Sequence, residues 1–225
     1  PAWCARTPVA RLESVRTMLA LAVHQRWEVH HMDVKSAFLN GDLKEEVYVA
    51  QPPGFVISGS ENKVLRLRKA LYGLRQAPRA WNAKLDDTLV SLGFQRSGAE
   101  HGVYTRSRAG RRLIVGVYVD DLIITGASGD DIFTFKQEMK MKFQMSDLGL
   151  LSYYLGIEVK QGADGIVLCQ SGYAGKVLER CGLASCNAST MPMESRLKLS
   201  KSSPEEKMNA TEYRRVIGAL RYLLH

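Results

Sequence analysis

The chain has 225 residues, enough to bury a substantial core, and carries a formal net charge of +8 with a pI near 9.4. Its apolar and charged fractions are those of an ordinary soluble protein, and no segment reaches the roughly 18 to 20 uninterrupted apolar residues of a membrane span, which excludes a membrane helix. The positive balance favours polyanionic partners, such as nucleic acid.

The opening Pro1-Ala2-Trp3-Cys4-Ala5-Arg6 has neither an initiator Met nor a charged-then-apolar leader, so a fragment of an intracellular protein is expected. From Leu12, the apolar residues Val15, Leu19, Ala22 and Val23 recur at helical spacing. Trp27 to Val34 then reads as a short strand with Asp33 near its end. Turns are expected at Asn40-Gly41-Asp42 and Gln51-Pro52-Pro53-Gly54, within a loop-rich middle region. Lys63 to Leu67 looks extended, and a helix is predicted from Ala77-Pro78-Arg79 to Leu92, with Pro78 at a tolerated starting position and Gly93 ending it.

Arg111 to Thr125 is the strongest β signal, two β-rich runs flanking Asp120 and Asp121, the pattern of a hairpin with carboxylates at its tip. Ser128 or Asp130 can cap the next helix, which aligns Ile132, Phe135, Met139 and Phe143. Ser152 to Val159 and Gly165 to Gln170 read as strands of a second hairpin, followed by helical spacing through Tyr173, Val177, Leu178 and Cys181. After a solvated linker around Lys201 to Pro204, a last helix through Tyr213, Val216, Ile217, Leu220 and Leu223 is expected to run to the end of the chain. The elements do not alternate regularly, so the fold class is α+β. Cys4, Cys169, Cys181 and Cys186 match no paired zinc-ligand spacing and are expected as buried, reduced thiols.

Two ionised carboxylates about 4 Å apart repel by roughly 4 kcal/mol at an effective dielectric near 20, so Asp120 and Asp121 call for an offsetting cation, unless they form a simple solvent-capped turn. A hard divalent ion such as magnesium suits carboxylate oxygens. His31-Met32-Asp33-Val34-Lys35-Ser36-Ala37-Phe38-Leu39-Asn40-Gly41 carries a further acid at a strand end, and three such acids can form one site. His30 and His31, adjacent on a strand, point to opposite faces and cannot readily chelate one ion together.

These segments, with Gln51-Pro52-Pro53-Gly54-Phe55, the run from Lys69-Ala70-Leu71-Tyr72-Gly73-Leu74 through Arg75-Gln76-Ala77-Pro78-Arg79-Ala80-Trp81, and Tyr154-Leu155-Gly156-Ile157-Glu158-Val159, resemble the reverse transcriptase region of copia-type retrotransposon polyproteins. The likeness extends from about Pro8 to His225. It implies a right-hand polymerase that adds deoxynucleotides to a primer 3′ hydroxyl on an RNA or DNA template. Residues of about 27–40 and 78–160 would form the palm, about 8–26 and 41–77 partial fingers and a template-contact region, and about 161–225 a thumb-like or connection-like region.

The same resemblance implies a pair of Mg2+ ions, with Mn2+ a possible substitute, held by Asp33, Asp120 and Asp121 and by the backbone carbonyl of Val34. Phe38 would crowd the sugar 2′ position of the incoming deoxynucleoside triphosphate, in a pocket shared with Ala37, Tyr118 and Gln76. Arg75, Gln76, Pro78 and Arg79 would contact the template, where Tyr72 and Trp81 suit base stacking. Tyr154, Leu155 and Gly156 look like the primer grip, the glycine permitting close backbone approach. The family's basic fingers hairpin has no counterpart before Pro8, and a catalytically inactive nucleic-acid-binding remnant is the alternative expectation.

Overall fold

The computed structural model describes residues 10–191, 193, 196 and 209–224. They fall into two compact units: residues up to 152 with 160–166, and 153–159 with the residues from 167 onward. Among the described residues no helix is long and apolar enough to cross a membrane.

The first unit is built on an antiparallel sheet in the order β4-β5-β6-β7-β1-β8. Its strands are β1 (Val29–Val34), β4 (Gln95–Arg96), β5 (Val103–Arg108), β6 (Arg111–Tyr118), β7 (Asp121–Gly126) and β8 (Met145–Leu150). The two runs around the acidic pair form the expected hairpin, registered from Leu113 opposite Gly126 to Tyr118 opposite Asp121. Because side chains alternate across a strand, Val115, Val117, Leu122, Ile124, Met32 and Val34 share one face. That face packs against Trp81, Leu85 and Leu89 of α2 (Ala77–Ser91) and Ile132, Phe135 and Met139 of α3 (Gly129–Lys142). Each such fully buried side chain contributes roughly 1.5–3 kcal/mol. On the other face lies α1 (Leu12–Gln25), whose Met18 sulfur stands where a Cβ on Gly116 would come within 2.8 Å. Ser128 caps α3 by accepting from the Asp131 backbone N–H.

The middle of the chain needs correction first. The middle region is less loop-rich than its charge suggests: β2 (Asp42–Ala50) pairs with β3 (Val64–Lys69), with Val47 opposite Leu67 and Val49 opposite Leu65. A register shift between Asp42 and Val47 and the charged run Lys44-Glu45-Glu46 mask the alternation. Strands β5 and β8 also went unread, because their apolar content is low and polar groups complete their packing. Arg106 of β5 is buried with its guanidinium 2.8 Å from Glu138, and Lys136 of α3 is buried 2.8 Å from Asp147 of β8.

In the second unit the expected strand from Ser152 is broken at Leu155 and Gly156, both at positive φ, into β9 (Tyr153–Tyr154) and the start of β10 (Ile157–Gly162). With β11 (Gly165–Cys169) these form a sheet in the order β11-β10-β9. Helices α4 (Ser171–Arg180) and α5 (Ala210–Tyr222) meet through the rings of Tyr173 and Tyr222, centroids 4.7 Å apart. Helix α5 ends at Tyr222, short of the expected extent, and the expected linker around Lys201 to Pro204 lies outside the described residues. The cysteines are not buried as expected: Cys169 and Cys181 are half-buried and Cys186 is exposed, all three as free thiols, and Cys4 lies outside the described residues.

Candidate catalytic site

The acids meet at one end of the sheet because the strand register places them there. Asp33, near the end of β1, is directly opposite Asp121, the first residue of β7. Asp120 sits in the two-residue connection between β6 and β7. Burial pushes the Asp120 carboxyl above its ordinary range, and the charges of Asp121 and Asp33 push it further, against the pull of its own backbone N–H and of Lys35. Three distant aspartates therefore share one electrostatic environment.

Their present partners differ. The Asp33 carboxylate accepts from Lys35 Nζ at 2.9 Å, and Asp121 Oδ1 lies 2.7 Å from His31 Nε2. His30 turns the other way, its Nδ1 3.0 Å from Lys136 Nζ and its Nε2 3.2 Å from Glu28, so the two adjacent histidines do face apart. Sequence reasoning missed His31 as a neighbour of the acids. The signal was available, since residues two apart on a strand share a face and Asp33 is two beyond it.

Among the described residues no three His, Cys, Asp or Glu side chains already converge as a metal shell. The three acids are neighbours at the sheet end, with Asp33 and Asp121 engaged by Lys35 and His31. Their chemistry nonetheless fits a hard cation. All three offer carboxylate oxygens at one sheet end, and the repulsion felt by Asp120 is what a divalent ion would relieve.

The hairpin tip is held from outside the hairpin. Val34 N–H donates to the Asp120 carbonyl at 2.9 Å, which engages the Val34 amide and says nothing of its carbonyl. The Trp81 indole Nε1–H donates to the Val119 carbonyl at 2.6 Å. Trp81 is buried, 1 % exposed, with its ring edge-on to Phe143 at 5.1 Å, so it cannot stack on a base as its neighbourhood of cations suggested. Val119 has φ 58, a left-handed conformation costing a β-branched residue about 1–3 kcal/mol. In a two-residue hairpin loop, a positive φ at the first position is ordinarily given to glycine.

Phe38 lies in the single turn of 3-10 helix Ala37–Asn40, half-buried, with its ring centroid 4.7 Å from that of exposed Tyr72. Ala37 is in the core, 1 % exposed. Tyr118, opposite Asp121, and Gln76, preceding α2, are half-buried, as is Pro78 in its first turn. Arg75 and Arg79 are exposed. Of the nearby cations, Arg66 pairs with Glu46 at 3.0 Å, and Lys69 and Lys84 share Asp42. Among the described residues Arg68, Arg75 and Arg79 have no carboxylate partner and keep their charge available.

Tyr154, Leu155 and Gly156 belong to the second unit. There the Tyr222 hydroxyl donates to the Leu155 carbonyl at 2.7 Å. A Cβ added at Gly156, whose φ is 85, would overlap that hydroxyl. Glycine is thus required here by Tyr222 as well as by its backbone conformation.

Residues 4–195 match the family model described as reverse transcriptase (RNA-dependent DNA polymerase). The chain is 38% identical over 217 residues to the retrovirus-related Pol polyprotein from transposon RE1 of Arabidopsis thaliana, an alignment covering 96% of the chain and 15% of that polyprotein. It is 36% identical over 227 residues to the corresponding polyprotein from transposon TNT 1-94 of Nicotiana tabacum, covering 97% and 17%. A putative transposon Ty5-1 protein of Saccharomyces cerevisiae is 34% identical over 190 residues, covering 84% of the chain and 62% of that protein. The chain thus spans a small part of the plant polyproteins it matches.

Proposed function

Since the chain belongs to the reverse transcriptase family, as a domain of the copia-type retrotransposon kind, we propose that it is the polymerase core that extends a primer 3′ hydroxyl with deoxynucleotides on an RNA or DNA template. The observation carrying this reading is the register that sets Asp33 opposite Asp121, with Asp120 beside both.

In this reading Asp33, Asp120 and Asp121, with the Val34 carbonyl, would hold a pair of magnesium ions. When bound, such ions lower the pKa of the primer hydroxyl and stabilise charge on the α-phosphate and the departing pyrophosphate. The chain's own groups do the rest. Asp33 and Asp121, now facing Lys35 and His31, would turn their oxygens to the cations, and Lys35 would then stand nearby as a positive group for phosphate. Phe38 presents its ring against the sugar 2′ position and excludes a ribose hydroxyl by bulk, while Tyr118 and Gln76 line the same pocket and buried Ala37 backs it. Arg75 and Arg79, unpaired and exposed beside Pro78, neutralise template phosphates. Tyr154, Leu155 and Gly156 act as the primer grip. In this division residues of about 27–40 and 78–160, with most of the six-stranded sheet, α2 and α3, form the palm, about 8–26 and 41–77, with α1 and the β2–β3 hairpin, the partial fingers and template-contact region, and about 161–225 the thumb-like or connection-like region.

Primer extension tests the proposal. Magnesium-dependent incorporation of deoxynucleotides that is lost in Asp120→Asn is the expected result, and incorporation that survives this change unaltered would remove the acids from the reaction. The unpaired Arg68, Arg75 and Arg79 also fit a chain that binds nucleic acid without catalysis. Salt-dependent primer-template binding with no incorporation would favour that second reading.

A further inference from the structure

We propose that Trp81 is a positioning residue for the acidic tip, holding the Val119 turn, through the indole N–H, in the one backbone conformation that aims Asp120 at the site. The inference rests on the reading of Asp33, Asp120 and Asp121 as a divalent-cation site.

The tip needs external support. Val119 takes a positive φ unfavourable for a β-branched side chain, so the turn is not the resting preference of its own sequence. Such conformations persist where surrounding structure over-determines them. Two bonds do so here: the Val34 amide holds the Asp120 carbonyl, and the Trp81 indole holds the Val119 carbonyl. The first comes from the strand that carries Asp33. The second comes from α2, an element with no acid in the site.

Trp81 is itself fixed in place. A Cβ on Gly41 would stand 2.7 Å from the Trp81 backbone nitrogen and 2.8 Å from the Ala80 carbonyl carbon, so glycine is what lets the segment after Asp33 abut α2 at this point. The Gly41 carbonyl also accepts from Ala70 N–H at 2.9 Å. Phe143 meets the indole edge-on. The route from Asp33 through the Ala37–Asn40 turn and Gly41 to Trp81, and thence to Val119, closes a loop that sets the first acid against the other two. A buried tryptophan ordinarily finds a partner for its N–H. This one spends it on the residue preceding Asp120.

Two variants separate positioning from packing. Trp81→Phe keeps an aromatic ring in the core and removes the donor, while Phe143→Leu removes the edge-on contact and keeps the donor. Mn2+ binding, followed by electron paramagnetic resonance of the free ion, should weaken about three- to tenfold in Trp81→Phe, the effect of one lost hydrogen bond. It should stay within twofold of the parent in Phe143→Leu, even though both lower the melting temperature. Equal Mn2+ affinity in Trp81→Phe and parent, or equal weakening in both variants, overturns the assignment. A parent that binds no Mn2+ overturns the cation-site reading instead. Trp81 is then judged by hydrogen exchange of its indole N–H in the parent chain: protection to the level of the core amides supports the clamp, and exchange as fast as an exposed tryptophan rejects it.

Discussion

The β6–β7 and β2–β3 hairpins belong to the same unit and treat charge in opposite ways. Strands β6 and β7 are buried almost throughout and bring their only carboxylates to a half-buried tip where like charges crowd one another. Strands β2 and β3 are largely exposed, and two of their acids are matched across the pair, Glu46 with Arg66 and Asp42 with Lys69. Hydrogen bonding from Lys69, with help from Lys84, holds the Asp42 carboxyl below its ordinary range, whereas that of Asp120 is raised. One hairpin therefore meets its acids Asp42 and Glu46 with nearby cations, and the other keeps a deficit that an external cation can fill. A deficit of this kind marks a binding site more surely than the number of acids does.

The largest expected effect comes from removing the deficit. Asp120→Asn should lower nucleotide incorporation more than about a hundredfold, since even an outer partner of a metal ligand can cost that much. Steady-state primer extension measures it, and a loss under tenfold would erase the contrast between the hairpins. Phe38→Ala, at the junction between β1 and β2, should increase ribonucleotide use by about tenfold or more, read as the ratio of kcat/KM for ribo- and deoxynucleotides. Unchanged discrimination would take Phe38 out of the pocket.

Smaller effects concern stability and sharpen the same comparison. Because the folded-state carboxyl of Asp120 binds its proton more tightly than the unfolded one, the parent loses stability as pH rises from the ordinary carboxylate range through the raised value. Asp120→Asn is free of this penalty, so at neutral pH it should melt higher than the parent, the difference vanishing in acid. A lower melting temperature for the variant would contradict the sign. On the other hairpin, Glu46→Gln should change stability by no more than about 0.5 kcal/mol, because an exposed pair is screened and costs side-chain entropy. Denaturant titration suffices to check it.

What could be read from the residues followed the same division. The buried hairpin announced itself, since Leu113 to Tyr118 and Leu122 to Thr125 have the composition of strands that tolerate little else, and Asp120 and Asp121 interrupt them conspicuously. The exposed hairpin did not, because Lys44, Glu45 and Glu46 satisfy solvent rather than a core and leave only Leu43, Val47 and Val49 to mark the strand. Motif likeness singled out Asp33, Phe38 and Arg75, the first of which the register sets opposite Asp121. It misjudged Trp81, for an aromatic among cations reads as a stacking platform, and only the fold reveals that its ring is buried and its N–H turned to Val119. His31 is legible for a different reason: its adjacency to His30 draws the eye, but its partner is set by the strand period, which puts it on the face of Asp33 two residues on. Cross-strand register and side-chain partners are long-range facts, and a linear pattern carries them only in part.

The most direct test of the central claim is thermal unfolding of the parent chain and of Asp120→Asn across a magnesium titration at fixed ionic strength. A cation that binds only the folded state raises the melting temperature with its concentration. The parent should therefore stabilise progressively as magnesium is added while the variant, which starts higher, stays flat until the two converge. Parallel curves that respond equally to magnesium, or a parent indifferent to it, would contradict the account.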